Sequence, residues 1–117
     1  MNISLPLEYK QYIEVNGQFE GFTSGEPGYI QLWKIEDLPT INSEIFIEER
    51  APGYLAFASD GGNEVLAFDE LGVIYKLPMI GMESRYAIKI AGSFSELAGR
   101  FECSIEELIN SRLTQKY

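Results

Sequence analysis

Apolar positions along the chain change their spacing several times, and each change marks an element. Leu5, Tyr9, Tyr12 and Ile13 fall at i, i+4, i+7 and i+8, one face of a helix over residues 5–16. Pro6 suits its first turn, where a missing N–H costs nothing, and Asn16-Gly17 supplies a left-handed end. Residues 18–28 are broken by Gly21, Gly25, Pro27 and Gly28 and read as loop, with room for a short strand at Phe19-Glu20-Gly21-Phe22. Tyr29-Ile30-Gln31-Leu32-Trp33 is β-prone. Ile35-Glu36-Asp37-Leu38 opens a helical segment with acids in its first turn, where the helix dipole favours them. With Pro39 still in that turn, the helix runs through Ile41, Ile45 and Phe46 and sets Glu44, Glu48 and Glu49 along its outer side. Glu44 and Glu48 then repel at i, i+4, a small cost that an opposing cation relieves.

The pattern is densest between Pro52 and Asp69. Tyr54-Leu55-Ala56-Phe57-Ala58 and Val65-Leu66-Ala67-Phe68 are continuous apolar runs joined by Ser59-Asp60-Gly61-Gly62-Asn63, a turn-forming sequence. Two such strands predict a central hairpin covered on both faces, with Phe57 and Phe68 in the core. Gly72 to Leu77 adds a third strand, making an antiparallel meander that Pro78 ends. Tyr86 to Ile90 suits a short edge strand. Ser93-Phe94-Ser95-Glu96 and Ser104-Ile105-Glu106-Glu107 both fit a capping box, so helices start near Ser93 and Ser104. The second would carry Ile105, Leu108, Ile109 and Leu113 on one face, with Arg112 and Lys116 near its C-terminal end. The expected fold is α+β, an antiparallel sheet with helices packed on it, in one domain over 1–117.

The run "PGYLAFASDGGNEVLAFD", followed by "GVIYKLP" and "IAGSFSEL", resembles the signature of the SUKH superfamily. The opening "LPLEYKQYIEVNGQ" is similar to the helix that begins its members, and the resemblance spans residues 5–101 in order. Four residues precede Leu5, where family members often carry more. The superfamily includes bacterial toxin-immunity proteins and fungal cell-wall regulators, and its members are not known as enzymes. The resemblance therefore implies an immunity protein that binds and blocks a cognate toxin, often a nuclease with a basic surface. A regulatory adaptor with a housekeeping protein partner is the main alternative. A hydrolase using buried carboxylates is the remote one.

Charge narrows the partner. The net charge is −9, and residues 1–75 hold thirteen Asp and Glu against three Lys and Arg. Such a surface disfavours nucleic acid and anionic membrane and favours a basic protein. The expected partner-facing residues are Glu36, Asp37, Glu44, Glu48, Glu49, Asp60, Glu64, Asp69 and Glu70. Candidate chemistry is sparse. Histidine is absent, which removes the commonest general base and transition-metal ligand. Cys103 stands alone, between the two capped helices, with no histidine to activate it. No phosphate-binding glycine loop is present, and the acids around Asp60 lack EF-hand spacing. No catalytic residue, cofactor or metal is expected. Tyr29, Trp33, Tyr54 and Tyr75 are read with Phe57 and Phe68 as core aromatics rather than a ligand pocket. The lone cysteine, and a start without a basic, apolar leader, point to a cytoplasmic setting.

Overall fold

The computed structural model describes the backbone of residues 4–114 and their side chains except those of Cys103 and 111–114. The readings placed on Cys103's thiol, Arg112, Leu113 and Lys116 lie outside the described residues. In chain order the elements are α1 (Leu7–Asn16), β1 (Glu20–Thr23), β2 (Tyr29–Leu32), α2 (Leu38–Glu44), α3 (Ile47–Arg50), β3 (Leu55–Ser59) and β4 (Glu64–Phe68). There follow β5 (Ile74–Pro78), β6 (Ile88–Ala91), α4 (Phe94–Ala98), β7 (Phe101–Ser104) and α5 (Ile105–Thr114). Short 3-10 turns at Ile35–Asp37 and Ser84–Tyr86 lead into α2 and β6. Among the described residues the strands form one seven-stranded sheet of order β6-β5-β4-β3-β2-β1-β7, every pair antiparallel.

The continuous apolar strands have the two-sided cover that they require. On one face Tyr9 of α1 and Phe94 and Leu97 of α4 pack on Phe57, Leu66, Phe68 and Ile74. On the other, Ile47 and Ala51 pack with Ala56, Val65, Ala67, Leu77 and Met82. On the second face, Ala56 lies directly opposite Ala67. Alanines there leave room for Ile47 and Ala51 in the same cluster. The register shifts between Ala56 and Ala58, a bulge that sends Phe57 and Ala58 into the same cluster.

Several ties connect distant segments. The Glu8 carboxylate accepts from the Phe94 amide at 2.9 Å and the Ser95 hydroxyl at 2.7 Å, which brings a negative charge to the start of α4. Ser93 Oγ accepts from the Glu96 amide at 3.1 Å, as its capping position predicts, while Glu96 takes the Gly92 N–H at 3.2 Å. Arg100 donates to the Glu26 and Ile90 carbonyls and to the Glu96 carboxylate. One guanidinium thus joins the β1–β2 loop, the edge strand β6 and α4.

Four sequence readings need correction. Pro6 precedes α1, with ψ at 141°, rather than occupying its first turn. Phe101–Ser104, given no element of its own from sequence between the two capped helices, is strand β7, paired with β1 through Gly21↔Ser104 and Thr23↔Phe101. The first strand hydrogen-bonds on both sides, so β1 is not the sheet edge. On α5, Leu108 and Ile109 are exposed rather than forming a packed stripe. The helix expected to run from Ile35 through Phe46 is instead a 3-10 turn, α2, a break at Phe46 and α3. The break lets Ile47 and Ala51, both buried, turn onto the sheet. A straight helix would carry them past it.

Four tyrosines make the fold sensitive to alkali. The Tyr29 hydroxyl donates to the Glu20 carboxylate, and ionising it would set two negative charges together, so its pKa is pushed up to about 12. Burial raises Tyr9, Tyr12 and Tyr54 above the ordinary 10.0. In each case the folded protein holds the phenol proton more tightly than the unfolded chain. The resulting stability is complete below the unfolded value and is lost as pH rises from there through the folded values. At about pH 11 the native protein should therefore show less tyrosinate absorbance than the urea-unfolded chain, and Tyr29→Phe should narrow that gap. Equal absorbance in the two states would contradict the assignment.

Candidate docking groove

The break between α2 and α3 creates the site. Ile45 ends α2 with ψ at 0°, and Phe46 adopts φ 57°, ψ 41°, the left-handed region. For a residue with a Cβ that conformation costs about 1–2 kcal/mol. It is the one non-glycine residue with positive φ among the described residues. Phe46 is 56 % exposed, with the Arg50 guanidinium 5.8 Å from its ring centroid.

Beside this turn lies a groove of about 650 Å³. Leu5, Ile35, Leu38 and Leu55 supply apolar lining, α2 adds Pro39, Asn42 and Ser43, and Phe46, Glu48 and Glu49 complete the wall. Asn42 is committed to the fold. Its amide donates to the carbonyls of Leu38 at 2.8 Å and Ala56 at 2.9 Å, and its oxygen accepts from the Ala56 amide at 2.8 Å. These bonds fix α2 against β3 and so set the width of the groove.

The nine acids singled out from the sequence divide between the two ends of the hairpin. Glu48 and Glu49 line the groove, with Glu44 ending α2 beside Ser43. Glu36 and Asp37 sit in the 3-10 turn between the lining residues Ile35 and Leu38. The β4–β5 turn carrying Asp69 and Glu70 lies at the Leu55 end of β3, because Leu55 pairs with Phe68. A Cβ added at Gly72 in that turn would come within 3.5 Å of the Pro6 ring, next to Leu5. Asp60 and Glu64 are at the opposite end of the hairpin, about 13 Å along β3. Asp60 accepts from the Gly62 amide at 2.8 Å, a turn-forming role, and Glu64 pairs with Lys76 at 3.4 Å. Asp69 likewise accepts from the amides of Leu71 and Val73. Glu44 and Glu48 do not share a helix face, since the Phe46 turn separates them.

The aromatics also divide. Phe57 and Phe68 are fully buried, whereas Tyr29, Trp33, Tyr54 and Tyr75 are half-buried. Sequence reasoning missed Asn42 and Phe46. An asparagine within a predicted helix reads as its polar face, and no glycine marked the left-handed position.

The model of the SMI1/KNR4 family (SUKH-1) matches residues 1–100. The chain belongs to this family. The SUKH superfamily includes immunity proteins and regulators, is generally non-enzymatic, and acts through protein–protein interactions. A comparison with curated proteins gives no match to this SUKH-1 chain. Among the described residues, no group of three or more His, Cys, Asp and Glu side chains is placed to hold a metal ion. Among the same residues, no helix is long and apolar enough to cross a membrane.

Proposed function

We propose that this SUKH-1 chain works as a single domain, an immunity protein that binds and neutralises a cognate bacterial toxin. It does so in the cytoplasm, by occlusion, with no catalysis and no cofactor of its own. The toxin surface it fits is basic, as nucleic-acid-cleaving domains have. The observation that supports this reading is that Glu48 and Glu49 line one groove, with Glu36, Asp37 and Glu44 adjacent in sequence to other lining residues, in a family that acts through protein partners. Asp69 and Glu70 extend the acidic rim, and Asp60 and Glu64 form a separate, more distant contact area.

Acids so placed act first on encounter. Steering by opposite charge raises the association rate and fades as salt screens it, with a Debye length near 8 Å at physiological ionic strength. The test pairs the protein with its cognate basic toxin domain and measures association rate against ionic strength. Reversing Glu44, Glu48 and Glu49 to Lys should slow association about tenfold or more at low salt and flatten the salt slope, with the fold intact. Equal rates and equal slopes would remove this surface from the binding site. Failure of the native protein to inhibit the toxin at all would remove the immunity assignment itself.

A further inference from the structure

We propose that the groove beside Phe46 seats an apolar side chain from a partner segment whose neighbouring lysines or arginines meet Glu48 and Glu49. This rests on the reading of a basic protein partner and specifies how that partner is recognised. Three observations carry it. First, the lining is apolar at Leu5, Ile35, Leu38 and Leu55, and Asn42 has its amide and its oxygen engaged by Leu38 and Ala56. The interior therefore selects by shape and hydrophobicity. Second, among the described residues the charged side chains in the lining are both acids, Glu48 and Glu49. They favour a cationic segment and oppose phosphate groups of nucleotides or lipids. Third, Phe46 combines a left-handed backbone with 56 % exposure. The isolated fold leaves much of an apolar ring in water, with the Arg50 guanidinium 5.8 Å from its centroid, at a position glycine would occupy more easily. An apolar residue docking against it would bury that ring, in the manner of an aromatic interface anchor.

The probe is a short fluorescent peptide with a Leu-Phe pair between two Lys-Arg pairs. Its controls carry Gly-Gly in place of Leu-Phe, or Glu in place of the cations. Binding is followed by anisotropy and by amide chemical shifts. The probe should shift amides at 42–49 and Leu55. Replacing Leu-Phe by Gly-Gly should weaken binding about tenfold or more, the scale of one buried apolar side chain. Phe46→Gly should weaken it by a similar factor without lowering the urea midpoint. Glu48→Gln with Glu49→Gln should reduce its salt dependence. Equal binding of the Leu-Phe and Gly-Gly peptides would overturn the apolar socket while leaving an acidic docking face standing. Shifts confined to other surfaces would overturn the location. If Phe46→Gly unfolds, Ser43→Phe, which narrows the groove from an exposed position, replaces it, and unchanged affinity there overturns the proposal. The toxin arm separates the two levels: neutralisation that survives Ser43→Phe but fails on charge reversal sinks this inference alone.

Discussion

Truncating Phe57 to alanine should lower the unfolding free energy by about 3–5 kcal/mol, measured by urea denaturation. The side chain is fully buried and stacks on Phe68 with ring centroids 4.0 Å apart and an interplanar angle of 14°. Tyr9 meets the edges of both rings, at 5.3 Å from Phe57 and 5.4 Å from Phe68, and Phe94 stands 6.3 Å from Phe57. Removing the ring therefore opens a cavity whose walls come from α1, β4 and α4 together. Those walls cannot all collapse inward, because each is held by its own ties, such as the Glu8 cap on α4. Phe57 also sits at the bulge of β3, where the backbone offset sends it and Ala58 to the same face. Phe68→Ala should cost a similar amount. The double variant should lose less than the two singles together, since the rings are each other's neighbours and the second truncation enlarges an existing cavity. A domain's whole stability is about 5–15 kcal/mol, so each single variant removes a large part of it. A loss below about 1 kcal/mol would show that the ring does not fill the core.

The hairpin around Phe57 was legible because several local signals agree there. Its strands are apolar on both faces, its turn is built from Asp and Gly, and both faces prove to be covered. Ser93 and Ser104 were legible for a similar reason. A serine three residues before a glutamate has a local physical role, and both hydroxyls accept the N3 amide, from Glu96 and Glu107. Strand β7 was not legible. Four residues show no period, and Phe101–Ser104 becomes a strand only by pairing with β1, some eighty residues earlier in the chain. The α2–α3 break was hidden for another reason. Helix ends are usually read from Gly or Pro, and Ile45-Phe46-Ile47 has neither. No local stop signal stands there, and the break brings Ile47 and Ala51 into the second cluster. The acidic face was legible as composition but not as a place. The sequence puts Glu44 and Glu48 one helical turn apart, while the structure groups Glu48 and Glu49 with Leu5 and Leu55 across a groove that no single segment encodes.

Replacing Asn42 by alanine should cost about 2–4 kcal/mol, although it removes few atoms and leaves α2's helical propensity better served. Asn42 is 1 % exposed, and its side chain both donates to and accepts from the backbone of Ala56. That is the paired exchange an antiparallel strand would supply. The neighbouring strand, β2, makes its pairs with Ala58 and Ser59, and the next residue, Trp33, donates its amide to the Phe57 carbonyl at 3.1 Å. At Ala56 the side chain of a helix takes over the partner's part. Alanine at 42 would leave a buried amide and a buried carbonyl without those bonds, each costing about 1–3 kcal/mol, with some relief if water enters. Aspartate should be no better, since its carboxylate has no donor for the Leu38 and Ala56 carbonyls. The control is Ser43→Ala, one residue on and exposed, which should change stability by no more than about 0.5 kcal/mol. Two measurements separate this from a general loosening. The Ala56 amide should lose hydrogen-exchange protection in Asn42→Ala well before amides at the β4–β5 pairing do. The groove should lose its Leu-Phe peptide as well, because Leu38, Pro39 and Ser43 are held over Leu55 by the same asparagine. A loss under about 1 kcal/mol with Ala56 still protected would mean that α2 is anchored by its apolar contacts, and that the groove does not depend on this bond pair.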